Sequence, residues 1–522
     1  LLSFPSCIRG FDSLRPLQIP TTPKACLSWG ILCELASMTL GKTVFPLALL
    51  CALIIPASGG RLAESGAVPG ATHALSLAKF LGSICGNPGS ERGGLLMVEY
   101  TGVRAARISA TDRMGVATWL RIAESSKGAI PGGLKYEMIT RVDNPDRYTI
   151  AGTIANLEMA AAAGALIGAE GPNEPGNDVC NYKGIVGCKK APYSWVPLAM
   201  FQRDFYIAVH ADPKLKGVPV FCPSEVGDEF DDVGLQFAQI PENWVNAAAM
   251  AQYGLTPGVK YCDKLNAHNY VDSPSQTLYN NAAWNCATKS TRAHPGCDSL
   301  ENNNGPSTWA HHYAGYSASE LPAIPAVTTE TGWRTGPSNR RPSIDQYSQG
   351  VILLNVWLSQ FKRGFDLTCQ YEMADGYGSP GETFGMFDHD FKPKLSATFL
   401  HNFTSILHEP AVSYNPRTSL YYAVSNPPPY EHDMLLERSD GALFLAVWDE
   451  NIPENGQTDT VKVNLGEEVA SVVEYDPTVG TEPVMTLKKV SEVPLSMTDH
   501  VLILQINKLQ AAKIHQTPPR VN

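Results

Sequence analysis

The sequence predicts an α/β fold in which a (β/α)8 TIM barrel is followed by a C-terminal antiparallel β-sandwich. Between about residues 78 and 408, β-rich runs alternate eight times with amphipathic stretches, which is the element order of a parallel-stranded barrel. After about residue 409 the runs become shorter, and turns such as Arg438-Ser439-Asp440-Gly441 separate them, as in antiparallel hairpins. We therefore expect a barrel over residues 78–408, a β-sandwich over 409–510 and a flexible tail over 511–522.

Eight runs are expected to form the barrel strands. They are Lys79–Ile84, Gly102–Ile108, Leu134–Ile139, Leu166–Ala169, Val218–Cys222, Lys264–His268, Ala326–Thr329 and Phe365–Tyr371. Between them, apolar residues at helical spacing predict helices. These are Ile154–Gly164, Trp195–Val209, Pro241–Tyr253, Ile344–Lys362 and Lys394–Leu407.

Composition and charge narrow the class of protein. Hydrophobic residues make up 44% of the 522 residues and charged residues 17%, which favours a globular chain over a disordered one. The formal net charge of -11 argues against binding to a phosphate backbone, because such binding depends on lysine and arginine. We therefore expect no nucleic-acid partner.

The segment that begins at Met38 has the order of a secretory signal. Lys42 supplies a positive charge, residues 44–55 form a short apolar core, and small residues occupy positions 57–60, as in a cleavage zone. The core is too short to span a bilayer comfortably, and its alternative interpretation is a buried strand or helix start. We expect residues 38–60 to be a signal peptide, and the mature chain to be secreted without an integral membrane segment. Residues 1–37 are expected to be an upstream extension that is not native.

In an oxidising compartment the cysteines beyond the signal can pair. Cys180 with Cys188, and Cys286 with Cys297, bracket short loops, so local disulfides are expected there. No Cys-x-x-Cys pair is present, so a zinc site is disfavoured, and we expect neither metal nor cofactor. The remaining cysteines in or beside strands are expected to be buried thiols; they are Cys222, Cys262 and Cys369.

Two carboxylates follow strand-like segments at widely separated points of the chain. Glu174 lies in Asn173-Glu174-Pro175, directly after an apolar run, and Glu330 lies in Thr329-Glu330-Thr331-Gly332. In a barrel both would lie at the mouth, where the strands end and chemistry collects. Glycoside cleavage needs such a pair, because one acid protonates the departing oxygen while the other carboxylate attacks or stabilises the anomeric carbon.

These motifs resemble those of a large clan of retaining glycoside hydrolases built on a (β/α)8 barrel, clan A. Members place Asn-Glu, often followed by Pro, after the fourth strand and a Glu after the seventh. The segment Gly385–Lys394 also resembles the final loop and helix start of secreted members with a β-sandwich tail. The resemblance implies a secreted glycosidase that cleaves a β-linked oligo- or polysaccharide without a cofactor. It implies that Glu174 is the acid/base and Glu330 the nucleophile.

The resemblance also implies roles for residues around this pair. Arg107, at the end of the second strand, would hold the nucleophile ionised through charge-assisted hydrogen bonds. Asn173 would contact the sugar 2-hydroxyl. His268 and Tyr270, after the sixth strand, would contact the nucleophile or the substrate. The alternative interpretations are a surface ion pair for Arg107 and a core histidine for His268.

Two aromatic residues are expected to stack on sugar rings, namely Trp333 and Tyr371, although an aromatic side chain more often belongs to the core. The chain departs from the clan pattern at two places. Cys85-Gly86-Asn87-Pro88 stands where many relatives have a His, and Gln370-Tyr371-Glu372 stands where many have a Trp. The sugar pocket is therefore expected to be unusual.

Other carboxylates and other functions compete with this interpretation. Glu174 alone could be a helix-start carboxylate, and three acidic residues lie at other strand ends, namely Glu225, Glu372 and Asp375. One alternative function is a non-catalytic carbohydrate-binding barrel. Another is a metal-dependent barrel hydrolase that uses His268, His311 and His312.

Overall fold

Strands and helices alternate over most of the barrel, and only strands follow the last helix among the described residues. The computed structural model describes residues 70–175, 178–188, 196–226, 253–255, 260–271, 280–285, 324–336, 343–376, 383–451 and 458–509. The strands are β1 (Ala71–His73), β2 (Leu75–Ser76), β3 (Ile84–Gly86), β4 (Ala105–Ser109), β5 (Lys135–Ile139), β6 (Leu166–Glu170), β7 (Val179–Tyr182), β8 (Ile185–Cys188), β9 (Val220–Phe221), β10 (Glu225–Val226), β11 (Leu265–His268), β12 (Ala326–Thr331), β13 (Phe365–Gln370), β14 (Ser419–Tyr421), β15 (Ala423–Ser425), β16 (Glu431–Glu437), β17 (Leu443–Asp449), β18 (Asp459–Tyr475), β19 (Pro483–Met497) and β20 (Val501–Asn507). The α-helices are Leu77–Ser83, Gly94–Thr101, Arg113–Ser125, Ile150–Ala162, Val196–Ala211, Ala282–Asn285, Gln346–Lys362 and Leu395–Leu407, and single 3₁₀ turns occupy Ser126–Gly128 and Pro213–Leu215.

Eight parallel strands form a nearly closed barrel, which confirms the prediction from the alternating pattern. Its sheet order is β10-β11-β12-β13-β3-β4-β5-β6-β9. The fifth strand is interrupted, because β9 pairs with β6 on one side and β10 pairs with β11 on the other. Bridges Asn173–Ser224 and Phe221–Lys264 continue the pairing across the interruption. The last strand, β13, pairs with the first, β3.

The inside of the barrel changes character along its axis. Away from the mouth it is apolar, and the side chains that form this cluster are Cys85, Ala105, Phe221, Val327, Leu367 and Cys369. Gly168 of β6 fits beside them because any side chain there would overlap the Phe221 ring. Nearer the carboxyl ends of the strands, charged and amide side chains replace the apolar ones. The apolar layer therefore supports a polar layer at the mouth, where the candidate site lies.

The expected first strand, Lys79–Ile84, is wrong over most of its length. Residues Leu77–Ser83 form a helix, and the strand is Ile84–Gly86. The Ser76 hydroxyl accepts a hydrogen bond from the Lys79 backbone N–H at 3.3 Å, which is an N-cap interaction. The buried residues Leu77, Phe80 and Leu81 recur at helical spacing, so a short apolar run that was interpreted as a strand is one face of a helix.

The other predictions of secondary structure have mixed outcomes. The helices over Ile344–Lys362 and Lys394–Leu407 are confirmed within two residues at each end. Four predictions fall wholly or almost wholly outside the described residues. They are the expected helix Pro241–Tyr253, of which only Tyr253 is described, the signal at 38–60, the extension at 1–37 and the tail at 511–522. No helix within the described ranges is long and apolar enough to cross a membrane.

Separate antiparallel sheets follow the barrel. One has the order β15-β18-β20-β17-β16-β2, with β19 paired to β18. Both of its faces are covered along β17, whose seven residues are all buried. Phe444, Ala446 and Trp448 join the large core that includes the barrel helices, whereas Leu445 and Val447 join the core of the sheets themselves. The C-terminal sheet thus packs directly against the barrel.

The segment that precedes the barrel belongs to the C-terminal sheets. β1 pairs with β14 in antiparallel fashion, with Thr72 opposite Leu420. β2 pairs in parallel with the end of β16, with Leu75 opposite Leu436. The strands that precede the barrel in sequence therefore pair with strands that follow it.

Three disulfides connect described residues. Cys180–Cys188 is the local pair expected from its spacing, and it joins the hairpin strands β7 and β8. The expectation that Cys222, Cys262 and Cys369 are free thiols is wrong, because Cys222 pairs with Cys262 and Cys369 pairs with Cys85. The second pair joins register partners on the last and first barrel strands. Cys286 and Cys297 lie outside the described residues.

Removing the Cys85–Cys369 disulfide should cost more stability than removing Cys180–Cys188. The two bonds close loops with sequence separations of 284 and 8 residues. In the chain-entropy model this difference is worth roughly 3 kcal/mol at 25 °C. Paired Cys→Ala variants, unfolded in urea without reductant, measure both costs, and an equal or larger cost for the short loop would contradict this prediction.

Candidate active site

The chemistry-bearing side chains gather at the carboxyl ends of the barrel strands, because parallel strands all end at one face. Arg107 is the middle residue of β4 and its side chain reaches the ends of neighbouring strands, where Glu170 ends β6, His268 ends β11 and Glu330 lies near the end of β12. Glu174 is in the turn after β6. Residues that are far apart in sequence are thereby brought into direct contact.

Arg107 is the centre of this polar cluster. Its guanidinium donates to both oxygens of Glu170, from Nε to Oε2 at 2.8 Å and from Nη2 to Oε1 at 2.9 Å. It also donates from Nη1 to Glu330 Oε1 at 2.6 Å and from Nη2 to Asn173 Oδ1 at 2.8 Å. The side chain is buried, so a single cation holds two carboxylates and one amide in fixed positions.

Burial and neighbouring charges shift the pKa values of two carboxyl groups in this layer, in opposite directions. Burial alone would raise the pKa of Glu170, but the charge and hydrogen bonds of Arg107 hold that pKa at about 2. Glu170 is therefore ionised at neutral pH. Burial, together with the neighbouring Glu170 charge, raises the pKa of Glu137 well above its ordinary value. This shift favours the protonated form of Glu137, which lies on β5.

Further polar side chains hold Glu170 in place. Asn266 donates from Nδ2 to Glu170 Oε1 at 3.1 Å. Thr329 Oγ1 lies 3.0 Å from both Glu170 Oε1 and Asn266 Oδ1, and its single proton can serve only one of them. All three residues are fully buried. Their hydrogen bonds therefore hold the Glu170 carboxylate in one position below the mouth of the barrel.

Glu174 and Glu330 face each other across His268. Nδ1 of His268 lies 2.7 Å from Glu174 Oε1 and 3.4 Å from Glu330 Oε2. The three side chains each offer an atom within 4.8 Å of the other two. Tyr270 donates its hydroxyl to Glu330 Oε2 at 2.7 Å. Desolvation and the charges of Glu330 and Glu174 raise the pKa of Tyr270 well above its usual value, so the phenol keeps its proton.

The turn that carries Glu174 is conformationally unusual. Glu174 has a φ of 35°, which is in the left-handed region that non-glycine residues rarely occupy. Its backbone N–H donates to the Ser224 carbonyl at 2.8 Å, which ties the turn to the interrupted fifth strand. Its side chain is 21% exposed, against 9% for Glu330. Glu174 is thus the more solvent-accessible member of the pair.

Two adjoining cavities open at this mouth. One has a volume of about 250 Å³ and is lined by residues that include Asn87, Glu330 and Tyr371. The other has a volume of about 220 Å³ and is lined by residues that include Asn173 and Pro175. Arg107, Ser109 and Ile139 line both cavities. The cavities therefore form one cleft along the polar cluster.

The remaining sequence candidates are placed differently. Trp333 is 1% exposed and packs with core residues such as Ile352 and Val356, so its ring faces the core. Asp375 accepts a hydrogen bond from the buried Lys394 at 2.6 Å, and Glu372 is buried. Only the backbone of Glu225, paired with Ala267 in β10–β11, is described.

The same side chains are where a metal ion would find ligands. Glu174, His268 and Glu330 are the group among the described residues with suitable donor atoms close together. Those atoms already form hydrogen bonds with one another and with Tyr270. His311 and His312, the other histidines of the metal-dependent alternative, lie outside the described residues.

Sequence reasoning missed the layer below the carboxylate pair. Glu137 and Glu170 are charged residues within strands that are otherwise buried. Asn87, at the end of the first strand, donates to the Thr329 and Gln370 carbonyls at 3.0 and 3.2 Å. The available signal was a charged residue inside a buried parallel strand, which in a barrel must face a partner in the interior.

No protein-family model matches this sequence, and no curated protein matches it either. Solved structures with some likeness include a glucosidase from Croceicoccus marinus, at 11% identity over 84% of this chain and 98% of that chain, with a TM-score of 0.49. A monomeric β-xylosidase from Caulobacter crescentus CB15 has 12% identity, the same coverage and a TM-score of 0.46. An endo-laminarinase from Formosa Hel1_33_131 has 13% identity over 66% of this chain and 93% of that chain, with a TM-score of 0.38. At these identities and TM-scores the likeness assigns no activity to this chain.

Replacing Glu170 by Gln should lower the free energy of unfolding at neutral pH by about 3–5 kcal/mol, because it removes one partner of a buried ion pair. The folded pKa of Glu170, about 2, lies below its ordinary value of 4.5. The stabilisation is therefore complete above pH 4.5 and is lost as the pH falls through about 2. Unfolding of Glu170→Gln and wild type, measured from neutral to acid pH, should show a shrinking difference.

Glu158→Gln is the matched control for that measurement. Glu158 pairs with Lys214 at 2.6 Å on the surface, where the two side chains are 27% and 68% exposed. Removing an exposed pair should cost no more than about 1 kcal/mol. Equal losses in the two variants, or a Glu170→Gln loss that does not change with pH, would contradict the assignment of Glu170 as a buried anion.

Proposed function

We propose that this protein is a secreted, retaining O-glycoside hydrolase that cleaves a β-linked oligo- or polysaccharide by double displacement. The observation that carries the proposal is the closeness of two carboxylates, since an oxygen of Glu174 and an oxygen of Glu330 lie within 4.8 Å of each other. Retaining enzymes separate their carboxyl groups by about 5–5.5 Å, whereas inverting enzymes leave about 6.5–9.5 Å for a water molecule. The narrow gap favours direct attack.

Glu330 suits the role of nucleophile. Its Oε1 accepts a hydrogen bond from Arg107 and its Oε2 accepts one from Tyr270. Hydrogen bonds from charged and phenolic donors stabilise an ionised carboxylate, which is the form that can attack the anomeric carbon. In the first step a Glu330 oxygen forms an ester bond to that carbon while the bond to the departing oxygen breaks.

Glu174 suits the role of acid and then base. It is more exposed than Glu330 and contacts His268 at 2.7 Å. In the first step it gives its proton to the departing oxygen. In the second step it takes a proton from water, and that water breaks the ester to Glu330 and restores both carboxyl groups.

Asn173 suits a role in substrate binding. Arginine can only donate, so the amide oxygen of Asn173 must face Arg107, at 2.8 Å. The amide NH₂ is thereby directed away from Arg107 and is available to a sugar hydroxyl in the adjoining cavity. Tyr371 lines the cavity that contains Glu330 and supplies an aromatic wall. We assign no stacking role to Trp333, because its ring is buried.

Two features of the chain support the secreted setting and the role of the C-terminal sheets. Three disulfides among the described residues favour an oxidising compartment. The aromatic residues Tyr422 and Trp448 are buried, and β17 packs its apolar side chains on both faces. Tyr421, by contrast, is 51% exposed. From the contacts of β17 we infer that the predicted β-sandwich braces the barrel.

Glu174→Ala should lower turnover of an unactivated β-glycoside by about 10²–10⁴, the usual contribution of a general acid. The loss should be much smaller with an aryl leaving group that departs without protonation, and added azide should restore turnover by replacing the water. Steady-state kinetics with a panel of leaving groups measures this. Glu158→Ala, at a surface carboxylate that pairs with Lys214 away from the cleft, is the control and should remain active.

Unchanged turnover in Glu174→Ala would favour a carbohydrate-binding barrel, with the activity due to a contaminant. Loss of wild-type turnover after exhaustive chelation, with recovery on metal addition, would favour the metal-dependent alternative. Either outcome contradicts the proposed function.

A 2-fluoro β-glycoside of the preferred sugar should label Glu330 covalently. The fluorine slows breakdown of the glycosyl ester more than its formation is slowed, so the intermediate accumulates. Peptide mass spectrometry of the inactivated protein locates the label, and Glu330→Gln should accept none. A label on Glu225 or Glu372 would overturn the assignment of the nucleophile.

A further inference from the structure

Glu137 is a buried carboxyl group to which the proposed reaction assigns no role. It lies in the middle of β5 and its side chain is 0% exposed. Its Oε2 is 3.6 Å from Arg107 Nε. No N–H or hydroxyl group of another described residue donates to either of its oxygens. It does share a side-chain hydrogen bond with Glu170, and two carboxyl groups can form such a bond only when one of them carries the proton. A carboxylate in this position would be a buried anion without donors, which proteins rarely tolerate.

Arg107 has no N–H group left for Glu137. Its Nε donates to Glu170. Its Nη1 serves Glu330 and Asn87, at 2.6 and 3.4 Å. Its Nη2 serves Glu170, Asn173 and Ser224, at 2.9, 2.8 and 3.4 Å. A guanidinium has five N–H groups, and acceptors surround each nitrogen.

The charged groups around Glu137 also disfavour its ionised form. Arg107 faces it from β4, Glu170 from β6 and Glu330 from β12, and His268 on β11 is coupled to the last two. Arg107 is the guanidinium cation that faces these groups, and it already pairs with the carboxylates of Glu170 and Glu330. A negative charge on Glu137 would therefore be uncompensated.

We propose that Glu137 is a positioning residue, a neutral carboxyl group inside the barrel that leaves Arg107 to be shared between Glu170 and Glu330. Burial and the Glu170 charge, which raise the pKa of Glu137 well above its ordinary value, support this. The functional consequence rests on the proposed hydrolase, in which Glu330 must be held by Arg107. An ionised Glu137 would compete for the guanidinium and draw it toward β5.

The proton on Glu137 can be detected without any assay of activity. The infrared difference spectrum of wild type minus Glu137→Gln, recorded at about pH 8, should contain the C=O band of a protonated carboxyl group. This pH is chosen because other buried acids among the described residues have raised pKa values, about 7 for Glu450 and about 6 for Asp449. Burial also raises the pKa of Glu474. Identical spectra in this region would overturn the proposal.

Turnover of an activated β-glycoside tests the positioning role. Glu137→Gln preserves the shape and neutrality of the protonated acid, so its kcat/KM should stay within about threefold of wild type. Glu137→Ala leaves a hole beside Arg107, and because small misplacements of reacting groups can cost about 10²-fold, its kcat/KM should fall by at least about tenfold. Circular dichroism establishes that both variants are folded; if Glu137→Ala is not, Glu137→Leu takes its place.

The outcomes separate this proposal from the proposed function. A Gln variant as impaired as the Ala variant would mean that the negative charge of Glu137 is needed, and an Ala variant as active as wild type would mean that no positioning occurs. Both overturn the proposal. Wild type that cleaves no glycoside overturns the hydrolase, and the infrared band still decides whether Glu137 is neutral.

Discussion

The structure of the mouth depends on the sharing of one buried cation between two carboxylates. Arg107 holds Glu170 through two hydrogen bonds and Glu330 through a third. Glu170 is an anion at neutral pH that holds the guanidinium in place, and the guanidinium in turn holds Glu330 next to His268. A buried charge is costly unless it is fully paired, so the strands that supply these groups must keep their register for the barrel to fold.

The same constraint connects stability with chemistry. Apolar residues fill the barrel below the polar layer, and the disulfide between Cys85 and Cys369 joins the first and last strands beside them. Above that layer, the turn with Glu174 is held by one backbone hydrogen bond to Ser224. The two carboxylates of the proposed reaction are thus held in different ways. Glu330 is buried and hydrogen-bonded to Arg107, whereas Glu174 lies on a more exposed turn.

The alternating pattern was sufficient to predict the barrel, and the position of strand ends was sufficient to predict that Glu174 and Glu330 would lie close together. The contact of Arg107 with Glu330 was implied only by the resemblance to the clan. What the pattern could not reveal depends on contacts between distant segments. Glu137 looks like any charged residue in a strand until its neighbours across the sheet are known. Cys85 and Cys369 are 284 residues apart, and only closure of the barrel brings them together. Trp333 has the aromatic ring that sugar stacking requires, but that ring is buried in the core.

The stereochemistry of cleavage tests the central claim most directly, because it reports whether the two carboxylates act across a narrow gap or with a water between them. Proton NMR of the first product formed from a β-glycoside, recorded before mutarotation, distinguishes the two anomers. Double displacement through Glu330 predicts that the β anomer appears first. Initial appearance of the α anomer would mean single displacement by water and would contradict the account.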